Sequence, residues 1–141
     1  MSEDRAPRTF LDSNILFYSD DSRFPAKRKK ALALIRSHRI NRNGVVSLQV
    51  LQEYFTNVTR KLGLDPAIAR RKVEIFSHFH LVEPTLNDVL SAIDLHRLNK
   101  ISYWDALIVR CASGSGCTTV LSEDMQHGQT IAGVKIVNPF I

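Results

Sequence analysis

A short apolar segment followed directly by an acid is the feature that most constrains the fold of this chain. Thr9-Phe10-Leu11 has the composition of a buried strand, and Asp12 comes straight after it. Open parallel α/β sheets bind ligands in the crevice outside the carboxyl ends of their strands, where such an acid would lie. Asp is also a favoured helix N-cap, so Asp12 has an alternative role as the start of the next helix. This segment alone leaves both interpretations open.

Short apolar segments and helical patterns alternate along the rest of the chain. The further predicted strands are residues 45–46, 80–82, 118–121 and 134–137. The predicted helices cover about 25–37, 48–62, 66–79, 86–98 and 103–112. This alternation predicts an α/β protein with right-handed crossovers and a mainly parallel sheet of about five short strands. We expect one domain over residues 1–141, with a flexible arm at 1–8.

The charge of the chain restricts its partners more than its fold. The formal net charge is +5 and the isoelectric point is near 9.5, so nucleic acid is the first candidate partner and an anionic membrane surface the second. A mildly basic surface without a polyanionic partner is the third possibility. The basic run at 27–30 is better explained as a solvated helix face than as a dedicated RNA contact.

Neither a membrane span nor a secretory signal is visible in the sequence, which predicts a cytoplasmic protein. Cys111 and Cys117 fit this location as two reduced thiols. His78 and His80 have no partner ligands at zinc spacing, and we interpret them as ordinary histidines near a helix end.

Four acids occupy positions that suggest a shared site. Asp12 and Asp124 follow predicted strands, Asp105 opens an apolar helix expected to be buried from Tyr103 to Ala112, and Glu53 lies in the first half of another helix. Asp105 has a competing structural role, because Ser102-x-x-Asp105 also fits a capping box.

The helical phase of Glu53 argues against its place in that site. It lies opposite the apolar stripe that runs from Leu48 to Leu62, so periodicity alone predicts a solvated side chain.

Convergence of these acids would create a site for a hard cation. Carboxylates held close together repel and raise one another's pKa unless a cation neutralises them. Oxygen ligands without a Cys or His cluster favour Mg²⁺ or Mn²⁺ over Zn²⁺. Such an ion can polarise a phosphodiester, activate water and stabilise the leaving oxygen, which suits a basic protein acting on nucleic acid.

The order of these motifs resembles the PIN-domain ribonucleases, in particular the VapC-like toxins of bacterial toxin–antitoxin pairs. The similar segments are residues 10–16, 47–54, 103–108 and 121–125, which carry Asp12, Glu53, Asp105 and Asp124 in that order. Each motif is weak alone, whereas the ordered set of four is fairly specific. Ser122 stands where the family often has Thr, which keeps a hydroxyl at that position.

The resemblance implies a three-layer α/β/α sandwich and metal-dependent endonucleolytic cleavage of RNA. It also implies a homodimer and a cognate antitoxin whose segment occupies a groove near the active site. Asp12, Glu53, Asp105 and Asp124 would hold the metal, with Asn14 and Ser122 orienting them. A PIN-like fold would also turn the Glu53 side chain toward the crevice, against the orientation that its helical phase predicts.

Two other functions remain open from the sequence. One is a non-catalytic PIN-like module for RNA binding or assembly, which would gain nothing from clustered carboxylates. The other is a phospho-acceptor or phosphatase domain with Asp12 as nucleophile. That chemistry would want a second acid two residues later, where this chain has Asn14.

Overall fold

The computed structural model describes residues 7–141, in which strands and helices alternate as the sequence predicts. The strands are β1 (Arg8–Leu11), β2 (Gly44–Ser47), β3 (His80–Val82), β4 (Cys117–Leu121), β5 (Thr130–Ile131) and β6 (Val134–Val137). The helices are α1 (Ser13–Tyr18), α2 (Pro25–Ile40), α3 (Leu48–Lys61), α4 (Pro66–Phe76), α5 (Leu86–Asn99) and α6 (Tyr103–Gly114). Of the predicted arm, residues 1–6 lie outside the described residues, and Arg8 is the first residue of β1.

The sheet has the order β3-β2-β1-β4-β6-β5. All its neighbouring strands are parallel except the pair β5 and β6. The helices connect consecutive parallel strands, as crossovers in a three-layer α/β/α sandwich do. The predicted fold class is therefore confirmed.

The sixth strand, β5, was not predicted, because Gly128 and Gly133 indicate a loop between β4 and β6. β5 forms a hairpin with β6 through Ala132 and Gly133, which have φ angles of 51° and 78°. Two successive positive φ values match the twist that a tight antiparallel hairpin requires. A strand of two residues is too short to show an alternating pattern, so periodicity gave no signal for it.

A topological switch point lies between β1 and β4. From β1 the chain builds outward through β2 to β3, and it then returns to the other side of β1 to place β4. Leu11 pairs with Leu121, so the carboxyl ends of these two central strands lie side by side. In open α/β sheets this is where a ligand crevice forms. The fold thus brings the residues after β1 next to the residues after β4.

Helix α2 is less deeply buried than its apolar pattern predicts. That pattern places Ala31, Leu32 and Ile35 toward the core. Ala31 and Ile35 are buried, whereas Leu32 is 43% exposed. Its remaining surface carries the basic residues of the 27–30 run, most of them exposed. Among residues 7–141, no helix combines the length and the apolar character needed to cross a membrane.

Candidate active site

Asp12 fulfils both of the roles that the sequence left open. Its Oδ1 accepts a hydrogen bond of 2.7 Å from the backbone N–H of Ser13, which makes it the N-cap of α1. Its Oδ2 accepts one of 2.6 Å from Ser122 Oγ, which follows β4. The side chain is buried at the switch point, with 3% of its surface exposed. Capping and placement in the crevice are therefore compatible in one residue.

Asn14 and Ser122 connect the two ends of the crevice. Asn14 Nδ2 lies 3.4 Å from Asp12 Oδ2, 3.3 Å from Ser122 Oγ and 3.2 Å from Asp124 Oδ2, as a shared donor to all three. Asn14 Oδ1 accepts from the backbone N–H of Glu123, and Ser122 Oγ accepts from that of Asp124. These bonds fix the loop after β4 against the start of α1.

The hydrogen bonds to Asp12 only partly offset the effect of burial on its pKa. Burial raises the pKa of this carboxyl to about 6, although the hydrogen bonds from Ser122 and Ser13 act in the opposite direction. The nearby charges of Asp124 and Asp105 raise it further. Repulsion between the three acids means that they share one electrostatic environment.

Glu53 does not occupy the solvated position that its helical phase predicts. The apolar stripe from Leu48 to Leu62 coincides only in part with the buried face of α3. Leu48 is 40% exposed and Phe55 is half-buried. The face that packs on the core carries Val50, Leu51, Tyr54 and Val58. Glu53 lies beside that face and is itself half-buried. The periodicity argument was wrong because it took two apolar residues on an open groove for core residues.

The Glu53 carboxylate is close to the other acids, and few hydrogen bonds offset the cost of burying its charge. Its Oε1 is buried and has no hydrogen-bond partner among the described residues. Burial raises the pKa of Glu53 to about 7, and the charges of Asp12, Asp105 and Asp124 contribute to that rise. The expectation that Glu53 turns toward the crevice agrees with this environment.

Asp105 forms only half of the predicted capping box. Ser102 Oγ accepts a hydrogen bond of 3.0 Å from the Asp105 backbone N–H, as an N-cap does. The return bond from the Ser102 backbone to the Asp105 carboxylate is not among the hydrogen bonds of residues 7–141, whereas α5 has a complete box. Burial raises the pKa of Asp105 and the charge of Asp124 adds to the effect, while a hydrogen bond with the Ser102 side chain acts in the opposite direction. The helix start therefore depends on the Ser102 hydroxyl and does not require the Asp105 carboxylate.

The first turn of α6 also differs from the expected burial. Residues 106–109 are buried as predicted, but Trp104, next to Asp105, is 60% exposed. A first-turn residue can point away from the core even when the rest of its helix is apolar all round. The position of Trp104 at the helix start was the sequence signal that could have predicted its exposure.

The four acids are neighbours without forming a preassembled metal cluster. No group of three Asp, Glu, His or Cys side chains within residues 7–141 is gathered closely enough to hold a metal ion. None of the ion pairs in that part of the chain involves Asp12, Glu53, Asp105 or Asp124.

Sequence reasoning missed one contact that supports the crevice. Lys27, at the start of α2, forms an ion pair with Glu123, which lies between Ser122 and Asp124. The Lys27 ammonium also lies 4.6 Å from the centre of the Tyr18 ring. A partner 96 positions away leaves no local pattern in the sequence.

The comparison with family models identifies one match, the PIN domain, over residues 9–130. The matched range includes Asp12, Glu53, Asp105 and Asp124, as well as every strand between β1 and β4. No curated protein matches the chain.

Solved structures with the same fold include three from bacterial toxins and their complexes. VapC20 of Mycobacterium tuberculosis, a "Sarcin-Ricin loop cleaving toxin", is 20% identical, with a TM-score of 0.65 over 82% of this chain and 91% of that one. A toxin–antitoxin complex from Klebsiella pneumoniae is 16% identical, with a TM-score of 0.67 and coverages of 93% and 97%. DNA-bound VapBC from Salmonella typhimurium is 16% identical, with a TM-score of 0.61 and the same coverages. At identities this low, these structural similarities show a shared fold alone.

Replacing Glu53 with Gln should stabilise the metal-free protein in a pH-dependent way. The pKa of Glu53 is about 7 in the folded protein and 4.5 in the reference state. The folded state therefore keeps this proton longer, and stability falls as pH rises from 4.5 to about 7. Glu53→Gln removes that loss. Denaturant unfolding in EDTA, at pH values on either side of this window, measures the free energy of unfolding. The difference between Glu53→Gln and the wild type should increase in favour of the variant as pH rises.

Glu83→Gln is the matched control, because Glu83 is exposed just beyond β3. It should unfold like the wild type throughout. Equal pH dependence of wild type and Glu53→Gln would mean that Glu53 is solvated and outside the crevice.

Asp105→Asn and Ser102→Ala should separate activity from helix capping. The structure assigns the cap to the Ser102 hydroxyl, so Ser102→Ala should lose about 1 kcal/mol of stability and keep most activity. Asp105→Asn should keep its stability and lose the RNA cleavage that the family resemblance predicts. Thermal melts and cleavage rates of both variants test this, and a destabilised but active Asp105→Asn would return Asp105 to a structural role.

Proposed function

The chain belongs to the PIN-domain family, and from this premise we propose that it is a metal-dependent endoribonuclease and the toxin of a toxin–antitoxin pair. The observation that carries the proposal is a group of carboxylates at the switch point of the sheet, where burial, and then the charges of neighbouring acids, raise the pKa values of Asp12, Glu53 and Asp105. The chain has a net charge of +5, yet these acids have no ion-pair partner among the described residues. A divalent cation and a polyanionic substrate would balance both charges.

The donor set fits a hard divalent cation. Asp12, Glu53, Asp105 and Asp124 would hold Mg²⁺ or Mn²⁺, because they offer only carboxylate oxygens. The buried Glu53 Oε1 without a partner supports this, since such an atom costs free energy until something satisfies it. When bound, the cation supplies positive charge that polarises a phosphodiester, activates water and stabilises the leaving oxygen.

The surrounding residues would hold the carboxylates in place during the reaction. Asn14 donates to both Asp12 and Asp124, so it orients the two acids relative to each other. Ser122 donates to the buried Asp12 and keeps the loop after β4 closed. The Lys27–Glu123 ion pair ties that loop to α2. These contacts reduce the reorganisation that substrate binding requires.

RNA is the proposed substrate class. The basic surface of the chain suits a phosphodiester backbone, and the likeness to VapC20, a toxin named for cleaving the sarcin-ricin loop, favours RNA among nucleic acids. We propose the cytoplasm as the place of action, where such a substrate would be met.

A cognate antitoxin is the proposed partner, as the toxin–antitoxin complexes among the solved structures suggest. An apolar groove of about 820 Å³ lies between α3 and α4, next to the helix that carries Glu53. It is lined by Leu48, Leu51, Gln52, Phe55, Thr56, Pro66, Ala67, Arg70 and Val73. A helical segment with an apolar face would fit such a groove.

We also propose a homodimer through α5. Leu86, Leu90 and Ile93 are exposed at intervals of four and three residues, which places them on one face of this helix. An apolar stripe on an otherwise polar surface is typical of an interface between proteins, and a two-fold dimer would pack two such stripes together.

Asp12→Asn should abolish RNA cleavage while the protein stays folded. The amide retains an oxygen that caps α1 but loses the charge that a cation needs. Purified wild type should cleave structured RNA with Mn²⁺ and stop with EDTA, and Asp12→Asn should be inactive in both. Glu83→Gln, at an exposed acid just beyond β3, is the matched control and should cleave normally.

Near wild-type cleavage by Asp12→Asn would refute its assignment. Wild type that binds RNA but leaves it intact with Mn²⁺ would instead favour the non-catalytic RNA-binding module.

Leu90→Glu should convert the dimer to a monomer, because it buries a charge in the proposed interface. Sedimentation or light scattering at several protein concentrations would measure the change. Ile68→Glu, an equally drastic change at an exposed position of α4, should leave the mass unchanged. A wild-type chain that is monomeric at all concentrations would contradict the dimer.

A further inference from the structure

Trp104 is an exposed aromatic residue at the edge of the candidate active site. It directly precedes Asp105 in the first turn of α6, and 60% of its surface is exposed. It is the only tryptophan of the chain. Its backbone carbonyl accepts a hydrogen bond of 3.4 Å from Gln49 Nε2, one helical turn before Glu53 on α3. Trp104 therefore lies where the two helices that carry Glu53 and Asp105 meet.

The surroundings of Trp104 limit its freedom while leaving the indole accessible. Its ring packs edge-on against Tyr103, with the ring centres 5.0 Å apart and an angle of 76° between the planes. Its backbone is held on one side by the first turn of α6 and on the other by Gln49. An aromatic side chain has few rotatable bonds, so an indole held in this way loses little entropy when it binds a flat ligand.

The charge of the crevice determines which part of an RNA can contact this edge. Asp105 is the next residue, and Asp12, Glu53 and Asp124 share its electrostatic environment. Phosphates that are not bridged by a cation are repelled there, whereas the face of a nucleobase carries no net charge. An aromatic ring can hold a base by stacking, and it adds no positive charge that would compete with the metal for the carboxylates.

We propose that Trp104 stacks on an unpaired base of the RNA next to the phosphodiester that is cleaved. The inference rests on the ribonuclease function proposed above. Stacking requires an unpaired base, because a base within a duplex has no free face. Trp104 is a substrate-binding residue in this scheme, and its contribution should affect binding rather than the chemical step.

The single tryptophan allows a direct test by fluorescence. Wild-type protein with Mn²⁺ is titrated with a short unstructured RNA oligonucleotide whose linkages are phosphorothioates that resist cleavage and that carries a dye far from the binding site. Dye anisotropy reports binding, and Trp104 emission reports stacking. Binding should quench the emission, and replacing one nucleotide of the RNA with an abasic site should remove the quenching at one position only. A fully paired RNA hairpin stem should give little quenching.

Steady-state cleavage by variants of the active protein gives an independent readout. Trp104→Ala should raise KM roughly tenfold with kcat changed by less than about twofold, the loss expected for one stacked base. Trp104→Phe, which keeps a smaller stacking surface, should recover much of the affinity. Ile40→Ala, at an exposed apolar position at the end of α2, is the matched control and should have wild-type KM.

The outcomes separate this inference from the proposed function. Binding by anisotropy without quenching, or a Trp104→Ala variant with wild-type KM, would overturn the stacking role and leave the nuclease proposal intact. The same result would be expected if the indole serves a protein partner instead of RNA. Absence of any RNA binding would overturn the ribonuclease function and this inference with it.

Discussion

Burial of the Asp12 carboxylate between the ends of β1 and β4 is the constraint on which the site depends. A charge removed from water is unfavourable unless hydrogen bonds and opposite charges replace its hydration. The chain supplies donors from Ser13, Ser122 and Asn14, yet the pKa of Asp12 remains near 6. The same carboxylate caps α1, so the beginning of that helix and the floor of the crevice form one structural unit.

Hydrophobic periodicity predicted most of the backbone because the elements involved are long enough to show it. The five parallel strands and the helices from α2 to α6 were all predicted, with ends that shift by a few residues. β5 was not predicted, because a strand of two residues is too short to show a period. The orientation of α3 was predicted wrongly for another reason. Its apolar residues divide between the core and the open groove with α4, and only the tertiary structure tells which apolar face is buried.

The residues of the candidate site could be predicted from the sequence, but the hydrogen bonds and the ion pair that join them could not. An acid after a strand and an acid at a helix start are local signals, and the similarity to an ordered family pattern adds Glu53. Sequence spacing says nothing about the bonds that Asn14 makes across the crevice or about the ion pair of Lys27 with Glu123, because these join segments about 100 positions apart. The exposure of Trp104 likewise depends on how α6 is placed against its neighbours.

The strand order also determines when the crevice can exist during synthesis. β1 is made first and gains β2 as a neighbour early, but its other neighbour, β4, ends with the residue before Ser122, which lies 110 positions after Asp12. Until β4 has emerged from the ribosome, β1 has one unpaired edge, the Asp12 carboxylate lacks its Ser122 donor, and Asp124 is absent. A nascent or prematurely terminated chain therefore contains the first acid without the assembled site. The crevice is complete only after Asp124 has been translated.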